Sequence, residues 1–241
     1  MTQLKESELL HLENLDTSTC KSMLYTFSNS GIDKLDLTGF DVSNVLTAFA
    51  MFFKCSSLTE LNISNWELPK VGSDGSGNLE SFLLLATNLE TIDISALNPR
   101  YCGNLRNMFQ KSSKLKSINF GNVFTFGENA SQTKIDQMFE GCTSLETLDL
   151  SKWNVSNLQN CQKMFKDCSA LTDVKFDGGT WSVIRGDAQY NIAARSYLRY
   201  YDANGKLRVF YNDYKNNAGN TYYGGCMCSY DQIYSVALST N

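Results

Sequence analysis

The feature that most constrains this chain is a repeat. Three segments align without gaps: MFFKCSSLTELNISNW at 51–66, MFEGCTSLETLDLSKW at 138–153 and MFKDCSALTDVKF at 164–176. Looser copies stand at 26–40, 82–97 and 107–123. One apolar column runs Leu35, Leu61, Ile92, Ile118, Leu148 and Val174, with spacings of 26, 31, 26, 30 and 26 residues. The period is therefore about 26 residues, six times over, with extra residues in the second and fourth units. A unit this short cannot bury its apolar face alone, so the units must stack and cover one another.

Each unit has two halves with different periods. The first is apolar at i, i+3, i+4 and i+7, as in Ala48, Met51, Phe52, Cys55, in Ile135, Met138, Phe139, Cys142 and in Cys161, Met164, Phe165, Cys168. That spacing predicts one face of a short helix. Ser43-Asn44 and Ser156-Asn157 stand where a side-chain oxygen would cap it. The second half alternates, as in Leu35-Asp36-Leu37, Leu61-Asn62-Ile63, Ile92-Asp93-Ile94 and Leu148-Asp149-Leu150, and predicts a short strand, apolar inward and polar outward.

Leu145-x-x-Leu148-x-Leu150 resembles the L-x-x-L-x-L core of leucine-rich repeats. The fuller string MFxxCxSLxxLDLSxW, followed by Val-Ser-Asn, is similar to the BspA-like branch found in bacterial surface proteins. The resemblance spans roughly residues 20–176. It implies an α/β fold, a leucine-rich-repeat solenoid of about six 26-residue units with parallel strands on one side and short helices on the other. It also implies surface adhesion or ligand recognition. One departure stands out. Where the usual repeat carries an asparagine, this chain has Phe40, Trp66, Leu97, Val123 and Trp153, which predicts an apolar spine. Thr38, Ser64, Ser95 and Ser151 are expected to cap the backbone at that turn.

The ends differ from the middle. Residues 1–24, with Leu4, Leu9, Leu10, Leu12 and Leu15, read as a helical N-terminal cap, residues 25–176 as the repeats, and 177–241 as a β-rich C-terminal cap. Ten of the twelve tyrosines lie between Tyr190 and Tyr234. Asn204-Gly205 between two alternating runs predicts a hairpin with a two-residue turn. That turn sets Leu198 and Tyr200 beside Val209 and Tyr211, and Arg199 and Tyr201 beside Arg208 and Phe210.

Composition narrows the function. The net charge is −4 with no polybasic block, which argues against a nucleic-acid partner. No apolar run reaches the ~20 residues of a membrane-spanning helix. The opening MTQLKESELLHLENL lacks the apolar stretch of a signal peptide. A single histidine, His11, leaves little room for histidine-based catalysis or a multi-histidine metal site. No phosphate loop follows a strand, and Asp36, Asp93 and Asp149 are rungs of a ladder rather than a converging pair, so no enzyme and no cofactor are expected. Cys55, Cys142 and Cys168 share a column with Ala86 and Ser112, which marks a small packing position occupied by reduced thiols. Cys226-x-Cys228 is too tight for a zinc knuckle. Asp74-Gly-Ser76-Gly-Asn78-Leu-Glu80 alternates oxygen ligands like a calcium loop but lacks its acidic order and reads as a flexible insertion, with no metal assigned. Arg185-Gly186-Asp187 and the sequons at Asn62, Asn129 and Asn154 are short matches of the kind chance supplies.

A binding surface remains. Lys34, Asp36, Glu60, Asn62, Asp93, Asn119 and Asp149 face outward from the strands, beside Thr91, Ser117, Thr147, Asp173 and Lys175. Residues 1–176 carry 15 Lys and Arg against 20 Asp and Glu, so this side is polar and mildly acidic. Tyr197, Arg199, Tyr201, Arg208 and Phe210 form a second candidate, since tyrosine and arginine are enriched at interfaces. The expectation is a non-catalytic module that binds a protein partner, at the cell surface by the resemblance. The alternative is an assembly component of a cell or virus particle that docks through the tyrosine-rich end.

Overall fold

In the computed structural model, described over residues 12–128, 130, 133–154, 158–160, 163–171, 173–176, 197–201, 207–215 and 221–229, the alternating halves of the units are strands. The strands of the repeat region are β1 (Lys34–Asp36), β2 (Glu60–Asn62), β3 (Thr91–Asp93), β4 (Ser117–Asn119), β5 (Phe124–Thr125), β6 (Thr133–Lys134), β7 (Thr147–Leu150), β8 (Trp153–Asn154), β9 (Leu158–Asn160) and β10 (Asp173–Phe176). They pair in short parallel couples and close no sheet: β1 with β2, β3 with β4, β7 with β10, β5 with β8 and β6 with β9. The column found in the sequence sets the register, since Leu35 stands opposite Leu61, Ile92 opposite Ile118, and Leu148 opposite Val174. Those side chains are buried, Ile118 only partly.

The other halves are not helices. Among the described residues the single helical element is one 3-10 turn, Leu12–Asn14. Each expected helix is instead a run of linked turns that is bonded to the next unit. In the second unit Met51, Phe53 and Cys55 donate their N–H groups to Ala48, Ala50 and Phe52, three residues back. The alternate donors leave the unit: Ala48, Ala50, Phe52 and Lys54 donate to the carbonyls of Asn78, Glu80, Phe82 and Leu84 at 2.8–3.1 Å. The pattern begins at Met23, Tyr25, Phe27 and Asn29 and continues through Leu79, Ser81, Leu83 and Leu85 to Leu105, Asn107, Phe109 and Lys111. Half of the backbone donors thus tie one unit to its successor.

Such a path needs left-handed residues, and they recur in pairs four apart: Tyr25 and Asn29, Ala50 and Lys54, Ser81 and Leu85, Asn107 and Lys111, Gln137 and Gly141, Lys163 and Asp167. Only Gly141 adopts this region without cost; the eight from Tyr25 to Lys111 each donate their N–H to the next unit, which holds them there. The spacing 48, 51, 52, 55 suits these turns as well as a helix, because both return to the same side every three to four residues. Ser43 and Asn44 accordingly cap no helix. The Asn44 amide donates to the Ser18 carbonyl at 2.7 Å, and its oxygen accepts from Lys70, so it clamps three successive stretches of chain. Ser156-Asn157 and Cys161 lie outside the described residues.

Aromatic rings fill the space between units. Phe27 stacks on Phe52 at 5.5 Å, Phe109 on Phe139 at 5.7 Å and Phe139 on Phe165 at 5.8 Å. The spine residues Phe40, Trp66, Leu97 and Trp153 are buried, and the Trp66 indole N–H donates to the Leu37 carbonyl at 2.9 Å. Val123 departs from the expected spine and is 57% exposed. Its place is taken by Phe124, which pairs with Trp153 across β5 and β8 with ring centroids 5.2 Å apart. Gly121, at φ 71°, redirects the chain just before and moves the spine one residue on.

The extra residues of the second and fourth units lengthen the returns from strand to turn, at 63–78 and 120–134, against 94–104 in the third. The return at 63–78 is pinned rather than loose. A Cβ on Gly77 would lie 1.8 Å from the Leu46 carbonyl oxygen, and one on Gly72 would lie 2.5 Å from that of Tyr101.

Toward the C-terminus, β11 (Tyr197–Tyr201), β12 (Leu207–Lys215) and β13 (Thr221–Ser229) form an antiparallel sheet. A hairpin is present with a different register. Tyr201 pairs with Leu207 and Leu198 with Phe210, so five residues, not two, join the strands. This slip by one place puts Arg208 and Phe210 at register positions that alternate with those of Tyr197, Arg199 and Tyr201. The five do not form the single set expected from a two-residue turn. At the N-terminus, Leu4, Leu9 and Leu10 lie outside the described residues, and the first bonds between units already appear at Met23.

Candidate functional site

The outward strand positions form one surface. Lys34, Asp36, Glu60, Asn62, Thr91 and Asp93 are exposed, as are Ser117, Asn119, Thr147 and Asp149. In the couples β1–β2 and β3–β4 polar groups on and beside the strands meet rung to rung. The Lys34 ammonium lies 2.7 Å from Glu60, and Lys116 lies 2.7 Å from Glu90. Asn62 donates to Asp36 at 3.2 Å, and Asn119 donates to Asp93 at 3.0 Å. Exposed ion pairs of this kind are worth about 0–1 kcal/mol, so a partner's charges can replace them at small cost.

The surface has two columns with different duties. Asp36, Asn62, Asp93, Asn119 and Asp149 close the turn after each strand. Asp36 accepts from the Thr38 N–H at 2.9 Å and its hydroxyl at 2.7 Å, and Asp149 accepts from Ser151 at 3.0 and 2.6 Å. Asp93 accepts the Ser95 N–H at 2.9 Å, and Asn119 accepts that of Gly121 at 3.0 Å. The hydroxyls therefore do not cap this turn as expected. They donate to the side chain two residues earlier, which is itself the cap. The Thr38 N–H and hydroxyl hold the Asp36 carboxyl below the ordinary carboxylate value. The signal was present in the sequence as Asp/Asn-x-Thr/Ser at 36–38, 62–64, 93–95 and 149–151. The other column, Lys34, Glu60, Thr91, Ser117 and Thr147, closes no such turn and changes chemistry from unit to unit.

Other candidates have roles inside the scaffold. Asp74 accepts from the N–H groups of Ser76 and Gly77 and from the Ser76 hydroxyl, each at 3.0 Å, so its carboxylate shapes its own loop. Burial pushes the Glu140 carboxyl up, but hydrogen bonds from Lys166 at 2.9 Å, Gln110 at 2.7 Å and Gln137 at 2.8 Å outweigh it and leave the group lowered. Those three donors come from three successive units. Cys20, Cys55, Cys102, Cys142 and Cys168 are free thiols. Burial pushes Cys55 up to about 11 and Cys102 and Cys168 up to about 12, which keeps them protonated and poor nucleophiles at neutral pH. No helix among the described residues is long and apolar enough to cross a membrane. The segment Arg185-Gly186-Asp187 and the sequon residue Asn129 lie outside the described residues.

Three overlapping stretches, residues 5–79, 23–130 and 77–190, match the family described as Mycoplasma protein of unknown function, DUF285. Matches that overlap in this way are consistent with a repeat family. No curated protein and no solved structure matches the chain.

Proposed function

The chain belongs to the DUF285 family, whose matches run over residues 5–190, and from that premise we propose that it is a non-catalytic protein-binding module of the BspA-like, leucine-rich-repeat type. Its units stack into a solenoid that presents the outward strand positions at the surface of a cell. One observation carries this reading: the backbone bonds between turn segments run from unit to unit and use no side chain of the column Lys34, Glu60, Thr91, Ser117 and Thr147. That column is free to vary with the partner, as the extended faces of repeat proteins do.

The second reading is an assembly component that docks through its C-terminal sheet. It is favoured by the concentration of tyrosines there, with Tyr197, Tyr200, Tyr201, Tyr211, Tyr214, Tyr222 and Tyr223 all in strands. The test is titration of the purified full chain against a panel of immobilised extracellular-matrix proteins. Two variants are compared, Lys34→Glu with Thr91→Lys, and Tyr201→Ala with Phe210→Ala. Saturable binding that the first pair weakens supports the adhesion reading. Loss with the second pair alone moves the site to the C-terminal sheet. No saturable binding to any matrix protein contradicts adhesion.

A further inference from the structure

The lengths of the three returns leave a groove. The short return 94–104 lies between the longer ones at 63–78 and 120–134, and Tyr101 lies on its floor, half-buried and shared by two adjoining clefts of about 800 and 710 Å³. The first cleft is walled by the loop Gly72–Asn78 on one side and by Ala130 and Lys134 on the other. The second is walled by Leu68 and Pro69 and by Gly121–Val123. The groove is thus a direct product of the insertions in the second and fourth units, the two interruptions in an otherwise regular period.

The larger cleft has a distinct chemistry. Among the described residues no Asp or Glu lines it, although the chain as a whole carries net charge −4. Asp74, on the same loop, turns its carboxylate back onto Ser76 and Gly77. Lys134 does line the cleft, and no ion pair among the described residues engages its ammonium. Its backbone is fixed, donating to the Gly103 carbonyl and accepting from the Leu105 N–H, both at 2.9 Å. The remaining lining is small and polar, chiefly Ser73, Ser76, Asn78 and Asn104. A peptide needs apolar pockets for anchor side chains, and among the described residues this lining offers Ala130 and the Tyr101 ring alone. A sugar needs the reverse: many hydroxyl partners, one aromatic face for a ring, and a cation if it carries an acid.

We propose that this groove binds an acidic oligosaccharide, with a sugar ring against Tyr101 and a carboxylate or sulfate group at Lys134. The proposal deepens the binding-module reading and rests on it only in part, because the groove lies on the returns and not on the strand surface. Three tetrasaccharide probes separate the chemistry: a hyaluronan fragment carrying carboxylates, a chondroitin 4-sulfate fragment carrying carboxylates and sulfates, and neutral chitotetraose. Calorimetric titration of the full chain should show saturable binding of at least one acidic probe, with chitotetraose at least tenfold weaker. Lys134→Gln and Tyr101→Ala should each weaken the acidic probe at least tenfold, and raised salt should weaken it further. Lys114→Ala, an exposed lysine that lines neither cleft, should leave it unchanged. If Tyr101→Ala fails to fold by circular dichroism, Lys134→Gln alone decides. Absence of saturable binding overturns the proposal, as does binding indifferent to Lys134→Gln. So does tight binding of a glutamate-rich peptide that depends on Lys134 while the sugars do not bind. None of these failures touches the matrix-protein test, which can succeed with the groove empty.

Discussion

The Cys55 thiol donates to the Phe27 carbonyl oxygen across 3.0 Å and joins its unit to the one before. The same bond recurs from Cys142 to Phe109 at 3.1 Å, from Cys168 to Phe139 at 2.9 Å and, through a hydroxyl, from Ser112 to Leu83 at 2.8 Å. The column is small because it is buried, and polar because it must reach that carbonyl.

The third unit breaks the pattern, since Ala86 has no donor to offer. Ala86→Ser should therefore stabilise the chain by about 0.5–1.5 kcal/mol, the net worth of one added hydrogen bond. Cys142→Ala should destabilise it by about 1–3 kcal/mol, whereas Cys142→Ser should retain most of the bond. Urea unfolding midpoints of the three variants check this.

The buried thiols also set an alkaline limit. Their ordinary value is 9.0, and burial holds Cys55 near 11 and Cys102 and Cys168 near 12 in the folded chain. A raised value means that the folded state keeps its protons where the unfolded state releases them. The contribution is complete below pH 9 and is lost as the pH rises from 9 toward 11. Unfolding midpoints should fall over that window, and Cys55→Ser should reduce the fall. At pH 8 the same thiols should resist a disulfide reagent until urea exposes them.

The turn carboxylates set an acid limit of the opposite sign. Hydrogen bonds from Thr38 hold Asp36 below its ordinary 3.8, so its contribution is present above 3.8 and is lost as the pH falls below it. Asp36→Asn should keep the turn, as Asn62 does in the next unit, and blunt the acid loss. Asp36→Ala should remove the acceptor at a cost of about 1 kcal/mol. Stability measured from pH 7 to pH 2 separates the two variants.

Trp153 meets Phe120 at 4.9 Å and Phe126 at 5.3 Å edge to face, besides Phe124, and is 3% exposed. Trp153→Ala should cost about 3–5 kcal/mol, the range for emptying a large core site. In Trp66→Phe the Leu37 carbonyl loses its indole donor, and a loss of about 1–3 kcal/mol is expected. Chemical unfolding of both variants gives the comparison.

The strand halves were legible because Leu35, Leu61 and Ile92 alternate with polar neighbours, and that alternation has one structural meaning. The turn halves were not. Ala48, Met51, Phe52 and Cys55 report only that the chain returns to the core every three to four residues, and this holds for a helix and for linked turns alike. A hint lay in the column that contains Asn29 and Gly141, two residues suited to a left-handed backbone in the middle of a supposed helix. Lys54 and Leu85 at the same place hid it. The hairpin between Tyr197 and Tyr211 was legible as a hairpin, but its register depends on loop length, and one residue reverses the set of neighbours. The groove over Tyr101 was visible only as two irregular spacings, 31 and 30, until the returns were seen side by side.

The binding-module reading rests on backbone bonds that pass from unit to unit instead of closing a helix. Hydrogen-bond scalar couplings measured by NMR identify the acceptor of a single N–H directly, and Phe52 is the residue to examine. A correlation from the Phe52 amide to the Phe82 carbonyl, whose oxygen lies 2.9 Å away in the next unit, is the expected result. A correlation to Ala48, four residues back, would mean a helix in place of the ladder and would contradict the account.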